Sequence, residues 1–156
     1  MMPTCWLDLK IPPPIVGVLV AIAMWAVAKV GPQFSLELQV RYALIGTLIV
    51  VGVSFDLLGL VAFRALRTTI NPLKPDHASA LVTSGVYRVT RNPMYVGVML
   101  LLFAWGIYLS SLLSLAGLPI FVMYITRFQI QPEERALENI FGEEFSNYKK
   151  RVRRWL

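Results

Sequence analysis

Two groups of polar residues in a largely apolar chain have the types and spacing that chemistry needs. The first group lies around Asn92-Pro93 and consists of Tyr87, Arg88, Arg91 and Tyr95. Asparagine followed by proline is a strong helix start, with an N-cap side chain and then proline at the first helical position. A backbone-rich loop before a helix N-terminus, with tyrosines and arginines around it, suits a charged nucleotide-like ligand. Aromatic belts and snorkelling bases explain part of the same crowding at a membrane boundary.

The second group is the acid pair Glu133-Glu134, which comes soon after an apolar run. Acids in the first turn of a helix are stabilised by its dipole, so capping alone is a sufficient reason for them. The pair would also face the same boundary as Arg91 and Tyr95, where two acids would hold a cationic cofactor by charge and hydrogen bonds. The residues by themselves leave both interpretations open.

Three further residues are weaker candidates. Asp56 interrupts an apolar run, where an acid is costly and is a functional candidate by default. The favoured alternative is that Asp56 lies near the cytoplasmic end of a long helix and pairs with Arg64 or another base. His77 is the only histidine and Cys5 the only cysteine. The sequence therefore predicts no metal site and no disulfide framework.

The composition places these groups at a membrane. Of the 156 residues, 56% are hydrophobic and only 15% are charged, and the mean hydropathy is +0.62. A soluble domain has roughly 25% charged residues, so this chain has too few charges to cover a water-facing surface. Intrinsic disorder and arginine-rich nucleic-acid binding are excluded. The net charge of +6 indicates cytoplasmic loops that face anionic lipid.

The apolar residues fall into runs of the length that a membrane span requires. These runs cover about residues 11–30, 40–63, 94–109 and 112–128, and Ser110-Ser111 makes the last two a tight helical hairpin. A loop over 66–92 separates the second run from the third. From Pro132 onward, apolar residues recur at helical spacing, which predicts an amphipathic helix over 132–155.

We therefore expect an all-α integral membrane protein, one domain over 1–156, with about four transmembrane helices and a C-terminal amphipathic cytoplasmic helix. A cleaved signal peptide is the competing interpretation of the first run. Lysine and arginine are concentrated in the loop over 66–92 and in the C-terminal tail, whereas the hairpin loop carries no charge. This asymmetry predicts that both termini and the middle loop face the cytoplasm. The expected location is a prokaryotic plasma membrane.

Two stretches in the second half of the chain carry a resemblance to a known family. The first is Leu81 to Gly97, with Val-Thr-Ser-Gly-Val-Tyr and then Arg-Asn-Pro-Met-Tyr-Val-Gly. The second runs from Glu133-Glu134 through Phe141-Gly-Glu-Glu-Phe to Tyr148-Lys-Lys-Arg-Val. Together they closely resemble the isoprenylcysteine carboxyl methyltransferase family. Its members are integral membrane enzymes that transfer a methyl group from S-adenosylmethionine, and the eukaryotic members methylate the carboxylate of a C-terminal prenylated cysteine.

The resemblance implies a cytoplasm-facing cofactor pocket between the loop before the third span and the C-terminal segment. The implied cofactor residues are Leu81, Val82, Tyr87, Asn92, Pro93, Met94, Tyr95 and Glu133. Arg91 or Arg127 would position an anionic substrate, and these two arginines with Glu133 are the catalytic candidates. The implied methyl acceptor is lipophilic, whether a small molecule, a lipid or a prenylated peptide, and it would enter sideways from the membrane lipid.

The sequence departs from the family pattern at three positions. Asn92 stands where the family usually has histidine, and Gln129 stands where the eukaryotic enzymes place an arginine four residues before the first glutamate. A histidine expected shortly before Leu81 is replaced by Ser79 or displaced to His77. Three alternative functions stay open: a phospholipid N-methyltransferase, a sterol-reductase-like enzyme that uses NADPH, and a non-catalytic membrane protein.

Overall fold

The computed structural model of this protein describes Trp6, residues 8–66 and residues 79–156. Its helices are α1 (Pro13–Ala28), α2 (Leu38–Ala65), α3 (Pro93–Leu109), α4 (Gly117–Ile125), α5 (Gln131–Phe141) and α6 (Glu143–Arg151). Short 3₁₀ turns at Gly85–Arg88 and Leu113–Ala116 precede α3 and α4, and a π turn at Thr126–Ile130 joins α4 to α5. No β-strand occurs in this described part, as the all-α prediction requires. Cys5, His77 and residues 67–78 of the middle loop lie outside the described residues.

Two helices are long and apolar enough to cross a membrane. They are α2, with 28 residues, and the continuous helix Leu113–Phe141, with 29. The helices α1 and α3 are apolar but shorter, with 16 and 17 residues. Along α2 most apolar side chains are exposed and only Gly52 and Gly59 are buried, as expected of a helix that faces lipid. The count of four spans stays a prediction.

The C-terminal helix predicted over 132–155 is corrected at both of its ends. Its start is not at Pro132, because the helix is continuous from Leu113 to Phe141. Proline has no N–H and its ring clashes with the carbonyl four residues earlier. The π turn ends at Ile130, two residues before Pro132, and a widened turn of this kind is a common way for a helix to continue past a proline. The helix is then broken at Gly142, whose φ of +51° suits glycine, and α6 ends at Arg151.

The helices α1, α3 and α4 meet in a common core. Its buried residues are Val16, Met24, Leu102, Phe121, Ile125 and Ile130. The helix α2 packs along the other side of α3, and Gly97 is the point of closest approach. A Cβ atom on Gly97 would lie 2.8 Å from the carbonyl oxygen of Gly52, so only glycine fits there.

Asp56 uses the space that Gly97 leaves. Its carboxylate lies directly against the backbone of Gly97 at the contact between α2 and α3. The expected pairing with Arg64 is not found, because none of the ion pairs or hydrogen bonds between described residues involves Asp56. The two residues are eight positions apart, about 12 Å along a helix at 1.5 Å per residue.

Candidate active site

The loop before α3 places Tyr87 inside the protein. The 3₁₀ turn Gly85–Arg88 turns this side chain inward, where it is 6% exposed and packs edge-on against Phe63 of α2 with ring centroids 5.6 Å apart. The hydroxyl of Tyr148 in α6 donates to the backbone oxygen of Tyr87 at 2.7 Å. Burial raises the pKa of both tyrosines above its usual range, so both hydroxyls stay protonated. The nearby charge of Glu133 contributes to the shift in the pKa of Tyr87.

Asn92 and Pro93 start α3 as predicted, but the expected side-chain cap is absent. The amide of Asn92 instead donates to the backbone oxygen of Arg154 at 2.9 Å. The hydroxyl of Thr90 donates to the same oxygen at 3.1 Å, and the backbone N–H of Arg91 donates to the oxygen of Arg153 at 2.9 Å. This part of the loop therefore holds the extended C-terminal segment in place, and the Asn92 side chain satisfies a backbone oxygen of that segment in place of capping α3.

Glu133 lies in the first turn of α5 and is oriented by two neutral donors. Its Oε1 accepts a hydrogen bond from the Tyr95 hydroxyl at 2.6 Å and one from the Gln129 amide at 2.7 Å. No lysine or arginine in the described ranges pairs with this carboxylate. With two neutral donors and no basic partner, this carboxylate is arranged to pair with a cationic ligand, whose charge would favour the ionised form of the acid.

Glu134 has the opposite surroundings. Its carboxylate accepts from Arg91 at 2.7 Å and from Arg154 at 2.6 and 3.1 Å. Arg91 also donates to the backbone oxygens of Lys149 and Val152, at 3.1 and 2.8 Å. Glu134 and Arg91 therefore connect α5, the start of α3 and the C-terminal segment, and they satisfy each other's charge within the protein.

Arg127 lies away from these contacts, on the outer side of the π turn. It is 42% exposed, and its guanidinium is 3.6 Å from the carboxylate of Asp8, which Arg135 contacts at 2.8 Å. Among the remaining predicted cofactor residues, Val82 and Pro93 are buried and Leu81 is partly buried. Met94 points toward α2, since a Cβ on Gly59 would lie 2.9 Å from its Cγ.

The structure thus brings Tyr87, Tyr95 and Glu133 together and places Asn92 and Arg91 beside them against the C-terminal segment. Sequence reasoning did not single out Thr90 or Arg154 for this region. The cluster Arg153-Arg154-Trp155 was a usable signal, because a basic tail in a chain with the acid pair Glu133-Glu134 has an obvious partner. Within the residues that the structure describes, no group of three His, Cys, Asp or Glu is arranged to hold a metal ion.

Comparison with known proteins adds the family. The model of the phospholipid methyltransferase family matches residues 40–144, which is most of the chain. A protein-S-isoprenylcysteine O-methyltransferase of Mus musculus is 40% identical over 77 residues, which cover 46% of this chain and 25% of the mouse protein. A protein-S-isoprenylcysteine O-methyltransferase B of Arabidopsis thaliana is 24% identical over 106 residues, 68% of this chain and 54% of that protein.

A third relative has a higher identity to this chain than the first two, over a shorter stretch. It is an uncharacterized protein of Haemophilus influenzae, 46% identical over 63 residues, which make up 40% of this chain and the whole of that protein. The chain thus spans a quarter of the length of the mouse relative and about half of the Arabidopsis one. No solved structure matches. The family match confirms the resemblance in the two motifs: the chain belongs to the phospholipid methyltransferase family and is related to the isoprenylcysteine O-methyltransferases.

Proposed function

We propose that this protein is a membrane methyltransferase that uses S-adenosylmethionine. The observation that carries the proposal is Glu133, a carboxylate that Tyr95 and Gln129 orient and that forms no ion pair with a cation of the described chain. S-adenosylmethionine supplies, when bound, an electrophilic methyl group on a positively charged sulfur. A cationic cofactor of this kind fits an acid that is held by neutral donors and has no basic partner.

The predicted cofactor residues would contribute to binding in different ways. Glu133 would bind the cofactor by charge, with the hydroxyls of Tyr87 and Tyr95 beside it. Leu81, Val82, Pro93 and Met94 would supply apolar walls that exclude water. Asn92 would shape the pocket through its hydrogen bond to the C-terminal segment.

The favoured acceptor is a lipophilic carboxylate of the isoprenylcysteine type, as the names of the mouse and Arabidopsis relatives suggest. A carboxylate is ionised near neutral pH, so no side chain of the protein has to remove a proton. The protein would mainly align the acceptor with the methyl group in a dry site, where orientation alone can supply on the order of 7–11 kcal/mol. Arg127, which is 42% exposed, would position the anionic group of a substrate that enters from the lipid. Arg91 would contribute to this from its network with Glu134.

A second candidate acceptor is the amine of a phospholipid. Two observations favour it: the description of the matching family, and the internal acids that already face Arg91 and Arg127. In that case a basic group would have to take the proton of the amine before or during methyl transfer. A sterol-reductase-like enzyme would need free cations for the phosphates of NADPH, whereas the described arginines near Glu133, Arg91 and Arg154, are paired with Glu134.

The experiment measures binding of S-adenosylmethionine to the purified protein in nanodiscs, with NADPH as competitor. Glu133→Gln keeps the size of the side chain and removes its charge. Glu138→Gln, in the exposed part of the same helix, is the matched control. We expect saturable binding that NADPH does not displace, that Glu133→Gln abolishes and that Glu138→Gln retains.

Transfer of a labelled methyl group then distinguishes the acceptors. A farnesylated cysteine and phosphatidylethanolamine are supplied in separate nanodisc samples. Label in the first supports the carboxylate acceptor, and label in the second supports the amine. Absence of S-adenosylmethionine binding by folded wild-type protein would overturn the proposed function and leave the non-catalytic alternative.

A further inference from the structure

The N-terminal segment before α1 lies directly against the π turn. The backbone N–H of Leu9 donates to the oxygen of Phe128 at 3.0 Å. This oxygen lies four residues before Pro132, which has no N–H to donate, so the helix itself cannot supply its usual partner. Leu9 has a φ of +56°, a left-handed conformation that leucine rarely adopts and that marks a constrained contact.

A second contact ties the same segment to both sides of the π turn. The carboxylate of Asp8, which is 10% exposed, lies 3.6 Å from Arg127 within the turn and 2.8 Å from Arg135, one helical turn beyond Pro132. One carboxylate therefore faces an arginine on each side of Pro132. The hydrogen bond of Leu9 lies between the two ion pairs along the helix.

The π turn carries the residue that orients Glu133. A π turn adds one residue to a helical turn and so changes the direction of the side chains that follow, and such turns are frequent at functional sites. Gln129 lies inside the turn, is 2% exposed and donates to Glu133 at 2.7 Å. The position of Gln129 relative to Glu133 therefore depends on the geometry of this turn.

We propose that Asp8 and Leu9 are positioning residues for the cofactor site, which act by holding the π turn in the geometry that presents Gln129 to Glu133. The inference rests on the proposed function, because it concerns the same Glu133. It also gives a role to a segment outside residues 40–144, which the family match leaves unexplained. The affinity for S-adenosylmethionine thus depends on residues before the first helix.

The test uses Asp8→Asn in the full-length protein in nanodiscs. Arg135→Gln removes the shorter of the two ion pairs of Asp8, from its more exposed side, and serves if Asp8→Asn does not fold. We expect the Kd for S-adenosylmethionine to rise about three- to tenfold in both variants, the range expected for a partly exposed ion pair that acts through a neighbour. Asp8→Glu, which keeps the carboxylate, should recover part of this loss.

Two controls separate positioning from general stability. Glu138→Gln removes another ion pair of α5, 2.7 Å long, from a place away from the π turn, and should change the unfolding midpoint without changing the Kd. In a Gln129→Leu background, Asp8→Asn should cause little further loss of affinity, since both changes act through the same hydrogen bond.

Three outcomes would contradict the inference. Wild-type affinity in both Asp8→Asn and Arg135→Gln would overturn it while the proposed function stands. Full additivity of Asp8→Asn with Gln129→Leu would show that Asp8 does not act through the π turn. A folded wild-type protein that binds no S-adenosylmethionine would overturn the proposed function, and this inference with it.

Discussion

At the scale of single residues, the two neighbouring acids of α5 have different surroundings. Glu134 contacts two arginines, whereas Glu133 contacts a tyrosine and a glutamine. Charge pairing satisfies the first acid within the protein, and hydrogen bonding orients the second without neutralising it. Two consecutive residues of α5 thus differ in role: Glu134 is a structural acid and Glu133 is a candidate for binding the ligand.

Removal of the Tyr95 hydroxyl tests whether Glu133 is oriented to bind a ligand. Tyr95→Phe removes the 2.6 Å hydrogen bond to Glu133 and leaves the ring in the core. Hydrogen bonds to charged groups contribute about 1.5–3 kcal/mol, so we expect S-adenosylmethionine to bind about tenfold more weakly or worse. Isothermal titration calorimetry measures the Kd, and an unchanged Kd would show that this hydroxyl does not orient the acid for binding.

A substitution of Arg91 tests whether Glu134 has a structural role. Arg91→Lys keeps the charge but loses the planar set of donors that reaches Glu134 and two backbone oxygens. Arg91 and Glu134 are only 11% and 14% exposed, so we expect a loss of about 2 kcal/mol in the free energy of unfolding. Denaturant titration in detergent measures it. Normal stability combined with a raised KM for the acceptor would instead support the predicted role of Arg91 in substrate binding.

At the scale of helices, the contact between α2 and α3 depends on the absence of a side chain at Gly97. The two backbones approach there, and Asp56 lies in the space that remains. Between helices in lipid the hydrophobic effect contributes little, so small residues that allow close packing are the main source of affinity. Asp56 is thereby held at the contact between the two helices.

Gly97→Ala should separate the two helices. The new Cβ would meet the backbone of Gly52 and the carboxylate of Asp56, and overpacking of this kind costs about 1–3 kcal/mol in the free energy of unfolding. Gly46→Ala in α2 is the matched control: no atom lies within 4 Å of its Cβ, and alanine favours a helix by up to about 1 kcal/mol. Thermal unfolding of the two variants in the same detergent gives the comparison, and equal stability would contradict the packing argument.

At the scale of the whole molecule, the described segments near both ends of the chain meet the continuous helix Leu113–Phe141. The N-terminal segment contacts Phe128 and Arg135, and the C-terminal segment contacts Glu134 and, through Trp155, Thr126 at 3.1 Å. Both described segments therefore lie on the same side of the structure as the candidate site. The charge asymmetry of the loops predicts that this side faces the cytoplasm.

Cysteine labelling tests that orientation. In a Cys5→Ser background, Leu112→Cys reports on the hairpin loop and Lys150→Cys on the C-terminal region; both residues are exposed. With a membrane-impermeant maleimide on intact cells, we expect Leu112→Cys to react at once and Lys150→Cys only after permeabilisation. The reverse pattern would show that the candidate site faces away from the cytoplasm.

The sequence by itself determined the features that depend on composition and on near neighbours along the chain. Apolar runs gave the membrane class and placed α1, α2 and α3 within two residues of their observed ends. Asn92-Pro93 gave the start of α3, because proline at a first helical position acts locally. The two motifs gave the family, since residue order alone carries a resemblance.

Only the tertiary structure decided which groups meet. The amide of Asn92 reaches Arg154, 62 positions along the chain, and Arg91 reaches Glu134 across 43. The division between Glu133 and Glu134 and the π turn before Pro132 depend on partners of this kind. Two neighbouring glutamates have the same local propensities, and these propensities do not decide between an α-helical and a π-helical turn. Long-range hydrogen bonds and charges decide both features, and these exist only once the helices have packed.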